Sequence, residues 1–214
     1  MQTFNILILS ALKENILKRG AFLTGISFFV SFVIILPIGL GGEVGSAAPA
    51  ILWLGVMLAS YLTLDLLYQP DIEDGSLEHM IAQGVPLGTI VLAKTCTHWM
   101  LTLFPLLLIL PIAAAFTNLS FDLWAPILYS FLVGSPALSS LGAFAALLTA
   151  GIKRGQLVAC ILLMPLSLPV LIFALGSLNG QDTEAALKFL GAFSLLNLAL
   201  CTALGIKALA LILD

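Results

Sequence analysis

Six apolar stretches, near residues 20–40, 48–68, 95–116, 124–149, 157–178 and 188–208, constrain any fold open to this chain. Each is close to the roughly 20 residues an α-helix needs to cross the hydrocarbon core of a bilayer. Lipid offers the backbone no hydrogen-bond partner, so segments of this kind cross as helices that close their own ladders. The expected fold class is an all-α integral membrane protein, six transmembrane helices in one membrane domain over residues 1–214. Composition agrees. Hydrophobic residues make up 61% of the chain and charged residues 9%, and the mean hydropathy is +1.16. A soluble fold of this length could not cover so much apolar surface. Pro126 and Pro136 are expected to kink the fourth stretch or open it as a re-entrant segment, and Pro165 and Pro169 to break the ladder of the fifth. Cys96, Cys160 and Cys201 lie singly in apolar runs, as small buried hydrophobes do, with no C-x-x-C pair for metal or redox chemistry.

The few charges are concentrated. Asp65, Asp71, Glu73, Asp74 and Glu78 are five of the eleven acidic residues, and all fall in the polar interval 65–87. Within it Asp74-Gly75-Ser76 signals a turn, Leu77, Met80 and Ile81 share one helical face, and Gly84 and Pro86 stop the helix. A short amphipathic helix on the aqueous side, offered to a partner, is expected within a segment 69–88. Asp65 and Lys94 mark the ends of spans two and three and are a candidate interhelical pair. The alternative leaves Asp65 solvated and Lys94 snorkelling to the interface. Over Met1–Gly20, Phe4, Leu7, Ile8, Ala11 and Leu12 follow the spacing of a one-faced helix that ends in Lys13, Lys18 and Arg19. Such a helix lies in the interface against anionic lipid headgroups. Its apolar-then-basic order is the reverse of a signal peptide's, and a plain extension is the other possibility.

Catalytic signatures are missing. There is no G-x-x-x-x-G-K-[ST] phosphate loop, no H-E-x-x-H and no G-x-S-x-G turn. A non-catalytic chain is expected, with no metal site. The net charge of −3, small and dispersed, gives no basis for binding nucleic acid. His79 sits in the polar helix, where a solvated side chain is the plain expectation. His98 follows Lys94 by one helical turn, beside Trp99, and either hydrogen-bonds between helices or serves as an axial ligand of haem iron. Trp53, Trp99 and Trp124 fall near span ends, as interfacial belt residues do.

An ordered set of local patterns adds a family resemblance. The set comprises Asp74-Gly75-Ser76-Leu77-Glu78, Pro86-Leu87, Ala93-Lys94 with His98-Trp99-Met100, Pro105-Leu106-Leu107, Pro111, Gly134 with Pro136, Lys153-Arg154-Gly155, and Leu163-Met164-Pro165-Leu166 with Pro169 and Leu171-Ile172-Phe173. Together with six spans and an N-terminal interfacial helix, it resembles the type-2 ABC exporter permeases. Within them it is most similar to the B-type membrane subunits of the haem exporter used in cytochrome c maturation, over about residues 49–176. That resemblance implies a permease subunit of the bacterial inner membrane, with haem as the transported or handled ligand and no cofactor assigned to the chain itself. It implies a separate ABC ATPase subunit that binds ATP, a haem-handling membrane subunit and a small membrane subunit, and it leaves room for a second copy of the chain. A polytopic chain without a nucleotide site needs its energy source to dock, and the acidic helix is the place for it. Glu73, Asp74, Gly75, Leu77, Glu78, Met80 and Ile81 are the expected coupling residues. A type-2 exporter of lipid, polysaccharide or drug, and an ATP-independent scaffold, are the other readings.

Orientation follows from the bases. With the N-terminus inside, Lys13, Lys18, Arg19, Lys94, Lys153, Arg154 and Lys207 are cytosolic and Lys188 alone is outside. Carboxylates weigh little in this rule, so the acidic segment does not overturn it. Both termini are expected to be cytosolic. With the native cysteines replaced, Ser120→Cys should react with a membrane-impermeant thiol reagent added outside intact cells, and Ser76→Cys should not. The opposite labelling would reverse the topology.

Overall fold

The computed structural model describes residues 8, 22–42, 44–152, 154–179 and 182–213. Among them every regular element is helical. In chain order these are α1 (Phe22–Gly39), α2 (Ala48–Tyr61), α3 (Asp65–Glu73), α4 (Ser76–Ala82), α5 (Leu87–His98), α6 (Phe104–Phe116), α7 (Trp124–Thr149), α8 (Gly155–Asn179) and α9 (Thr183–Leu213). A π-turn over Trp99–Leu103 joins α5 to α6. Five runs are long and apolar enough to cross a membrane: Gly45–Glu73, Leu87–Phe116, Phe121–Thr149, Gly155–Leu178 and Thr183–Leu211. This is a multi-pass α-helical membrane protein. The apolar part of α1, Leu23–Gly39, is shorter. At 1.5 Å per residue it reaches about 26 Å, against a hydrocarbon core of about 30 Å. The expected interfacial helix of Met1–Gly20 and the basic residue Lys153 lie outside the described residues.

Two runs make the centre of the bundle. In their most apolar windows, 72% of Phe121–Thr149 and 67% of Gly45–Glu73 are buried, against 33% for Leu87–Phe116 and 28% for each of the last two. Small residues explain the place of α7. Ser130, Gly134, Ser135, Ser139, Gly142 and Ala146 are all buried along it, and short side chains let neighbouring backbones come close. Its hydroxyls then bridge helices. Trp99 Nε1 donates to Ser135 Oγ at 2.9 Å, Ser130 Oγ to Ala174 O at 3.3 Å and Ser177 Oγ to Ser130 Oγ at 3.3 Å. From α2, Tyr61 Oη donates to Ser167 Oγ at 2.6 Å.

Several expectations need correction. The third span starts at Leu87 rather than near 95, and the acidic residues from Asp65 to Glu73 are helical. The prolines of α7 and α8 leave both helices continuous. Pro126 sits in the first turn of α7, where its missing N–H costs little. In α8, Ser167 Oγ donates to Leu163 O at 2.8 Å, adding a side-chain bond to the ladder between Pro165 and Pro169. The break appears elsewhere. Pro105 has no N–H to give Leu101 and its ring crowds that carbonyl, so the ladder widens just before it, with Phe104 N–H reaching Trp99 O. Trp53 is no belt residue: it is 1% exposed and stacks on Phe131 with ring centroids 4.1 Å apart.

Gly134 makes room for that stack, since a Cβ there would lie 2.6 Å from Trp53 Cη2. At Gly191 a Cβ would meet only Val133 Cγ1, at an ordinary 3.4 Å. Alanine gains about 1 kcal/mol over glycine in a helix, while forcing a packed core apart costs about 1–3 kcal/mol. Thermal unfolding in detergent should therefore show Gly134→Ala lowering stability and Gly191→Ala leaving it unchanged or raised.

Candidate functional site

The acidic segment folds as a tight helical corner. α3 ends at Glu73, Asp74 Oδ1 accepts the Ser76 N–H at 3.0 Å, and Gly75 takes φ of +74°. That angle lies in the left-handed region, which a side chain at this position would strain. α4 then starts at Ser76 and runs only to Ala82. Leu77 is 3% exposed and belongs to the core, and Met80 and Ile81 pack against that core. The apolar face of this amphipathic helix is thus turned inward against the chain itself. α4 leaves Glu78, His79 and Ala82 exposed, with Gln83 after it and Glu73 and Asp74 beside them at the corner. His79 Nε2 and Gln83 Nε2 are 2.9 Å apart, an ordinary surface pairing.

Two contacts fasten this corner to the bundle. Lys94 on α5 forms an ion pair with Asp71 on α3, both side chains mostly buried at 12% and 14% exposure. The Lys94 ammonium also lies 5.9 Å from the centroid of the Tyr68 ring, a cation–π distance. The lysine has found an acidic partner one helix away, but it is Asp71 rather than Asp65. The second contact is Gln69. Its Oε1 accepts the Gly151 N–H at 2.9 Å and its Nε2 donates to Glu73 Oε1 at 2.8 Å, tying α3 to the turn between α7 and α8. Asp65 instead shares a cleft of about 280 Å³ with Gln69, Thr149, Arg154 and Gln156. Gln156 Nε2 closes one wall by donating to Leu62 O at 3.0 Å, a carbonyl released where α2 gives way to α3.

His98 lies deeper, 2% exposed, where α2, α5 and α7 meet. Its Nδ1 is 3.1 Å from Ser139 Oγ, and its Nε2 is 3.3 Å from Ser60 O and 3.5 Å from Thr63 Oγ1. Thr63 Oγ1 in turn lies 3.0 Å from Thr102 Oγ1. Of the two expectations for this histidine, the interhelical bond is the one its surroundings satisfy. No group of three or more His, Cys, Asp or Glu side chains converges to hold a metal among the described residues. Asp71, Gln69 and the hydroxyl partners of His98 were not singled out in the sequence. The available signal was Thr95 with Thr102 and Ser135 with Ser139, hydroxyls at helical spacing in largely apolar runs.

The model of the family described as CcmB protein matches residues 2–211. The chain belongs to the CcmB protein family. It is 38% identical over 188 residues to the heme exporter protein B of Paracoccus denitrificans, covering 85% of this chain and 86% of that protein. It is 41% identical over 165 residues to the heme exporter protein B of Rhodobacter capsulatus, with 76% of each covered. With that of Haemophilus influenzae it shares 33% over 202 residues, 89% of this chain and 91% of the relative. The region matched to the CcmB family takes in the acidic corner, its ion pair and the His98 crossing together.

In this CcmB protein the Asp71–Lys94 pair should behave as a buried unit. Removing either partner by Asp71→Leu or Lys94→Met leaves the other charge uncompensated and should cost about 3 kcal/mol. The double variant should lose clearly less than the sum of the two. Chemical unfolding of the four proteins in detergent measures the coupling.

Proposed function

We propose that the chain is the permease subunit of an ABC transporter that exports haem, or hands it on, during cytochrome c biogenesis. The carrying observation is its similarity to proteins named heme exporter protein B over most of its length. It would reside in the bacterial inner membrane as one six-span domain, α1 being the first span, with both termini and the acidic corner in the cytosol. A separate ATPase subunit would supply the energy. A haem-handling membrane subunit, a small membrane subunit and a second copy of the chain would complete the assembly.

Coupling is assigned to the acidic corner. Glu73, Asp74 and Glu78 would meet the ATPase, Gly75 would set the corner angle, and Leu77, Met80 and Ile81 would transmit the push inward. The geometry supports this division. A load on α4 passes through its buried face to the core, and from α3 through the Asp71–Lys94 pair to α5. The block α3–α4–α5 is bounded by two interruptions of the helical ladder, the Leu62–Leu64 link after α2 and the π-turn after His98. The two interruptions face each other, since Thr63 and Thr102 are in hydrogen-bond contact at 3.0 Å. Opposed irregularities of this kind make a hinge line. Closure of the ATPase would rock the block about it.

Reversing one exposed charge separates docking from folding. Glu78→Lys should leave membrane insertion and thermal stability unchanged, yet reduce ATPase subunit co-purified with the permease and the cytochrome c yield. Leu77→Ala should instead destabilise the permease itself, by about 2–5 kcal/mol. If Glu78→Lys retains the ATPase and full cytochrome yield at matched protein level, the corner is not the coupling site.

A further inference from the structure

Around His98 one buried hydroxyl, Thr97 Oγ1, has no partner among the described residues, the directions of the neighbouring bonds leave His98 Nε2 without a donor, and both residues line one small cavity. Ser139 Oγ donates to Thr95 O at 2.7 Å, so towards His98 Nδ1, 3.1 Å away, it can only accept. That assigns the proton to Nδ1 from the network and leaves Nε2 with a lone pair. Thr63 Oγ1 donates to Ser60 O at 3.0 Å, and Thr102 then serves as the donor to Thr63 across their 3.0 Å contact. Both neighbours of Nε2, Ser60 O and Thr63 Oγ1, are therefore acceptors with no hydrogen left to give. Meanwhile Thr97 Oγ1 is buried and has no hydrogen-bond partner among the described residues. A donor lacks an acceptor, and an acceptor lacks a donor.

Thr63, Thr97, His98 and Thr102 all line the same cavity, with Leu66, Leu67 and Leu101 completing its wall. It gives the centre of a water molecule about 20 Å³ in which to sit, room for one water. We infer that this cavity is a binding site for a single water, which accepts from Thr97 Oγ1 and donates to His98 Nε2. The water satisfies both orphans at once, and the surrounding threonine hydroxyls supply the further partners that a buried water needs. A hydroxyl left unsatisfied in an apolar interior costs about 1–3 kcal/mol, which favours the hydrated state. The site lies on the proposed hinge line, so two helices meet there through a molecule that can exchange partners. It does not depend on what the permease carries.

Solid-state NMR of the full chain in lipid bilayers, labelled on histidine, tests this directly, because His79→Gln leaves His98 as the single histidine. The ring should be neutral and protonated on Nδ1, with Nε2 hydrogen-bonded and receiving magnetisation from water. Thr97→Val keeps the shape but removes the hydroxyl, and should abolish the transfer from water while leaving the Nδ1 proton in place. Thr97→Ser should restore it. A proton on Nε2, no transfer from water in the unsubstituted site, or equal transfer in Thr97→Val would each overturn the inference. The measurement without substitution at Thr97 decides the matter even if the valine variant does not fold.

Discussion

Lys94 carries a charge two turns into α5, and the arrangement of that end of the bundle follows from giving it a partner. A lone ammonium among buried helices costs several kcal/mol, so it must be paired or drawn to the interface. Here it is paired, and Asp71 reaches it because the chain becomes helical again at Asp65 and lays α3 alongside α5. The same placement sets the Tyr68 ring beside the ammonium and brings Gln69 to the Gly151 amide. Once α3 is held, the Gly75 corner returns the chain and lets Leu77 close over the core. One ion pair thus decides where the acidic residues beyond it are displayed.

Deeper in the membrane the same demand is met without charge. Among the described residues, the buried Ser, Thr, Asn and His side chains are hydroxyls, Asn197 and His98. Each hydroxyl both donates and accepts, so it can bridge helices or bond back to its own ladder, as Ser139 does across to Thr95 and Thr149 does to Ala145. Such bonds are worth about 0.6 kcal/mol each across a membrane interface. They orient helices without locking them. That strength suits a bundle whose parts must move, and the buried ion pair among the described residues, Asp71–Lys94, lies within the block proposed to move as one body.

The class of fold was legible because lipid imposes it: long apolar runs can only cross as helices. The acidic helix was legible too, since Asp74-Gly75-Ser76 and the spacing of Leu77, Met80 and Ile81 are local signals. Which way that helix faces was not. An amphipathic pattern fixes a face but not what covers it, and here the covering is the chain's own core. The partner of Lys94 depended on α3 being helical, and the carboxylates crowded into that stretch gave no sign of it. α3 takes in Pro70 all the same. The prolines of α8 misled, and Pro105 near the start of α6, which gave no warning, produced the ladder defect. The role of each proline depends on what its neighbours can donate to the freed carbonyl.

The distribution of polar groups bears on how haem would be handled. Haem presents two propionates, and a pathway through the middle of this chain would need cations or clustered donors to receive them. The buried groups at the His98 crossing are hydroxyls, carbonyls and an imidazole whose nitrogens face Ser139, Ser60 and Thr63. They are suited to adjusting helix contacts and poorly suited to replacing the hydration of two carboxylates. Ionisable side chains gather instead at the α3–α4 end, with the Asp65–Arg154 cleft and the acidic corner side by side. That separation, charges at one end and neutral joints within, is the layout of a lever. In the proposed mechanism work would enter at the corner, turn at the Thr63–Thr102 level and leave through the movement of apolar helix surfaces, where a membrane partner holding the haem would respond to it.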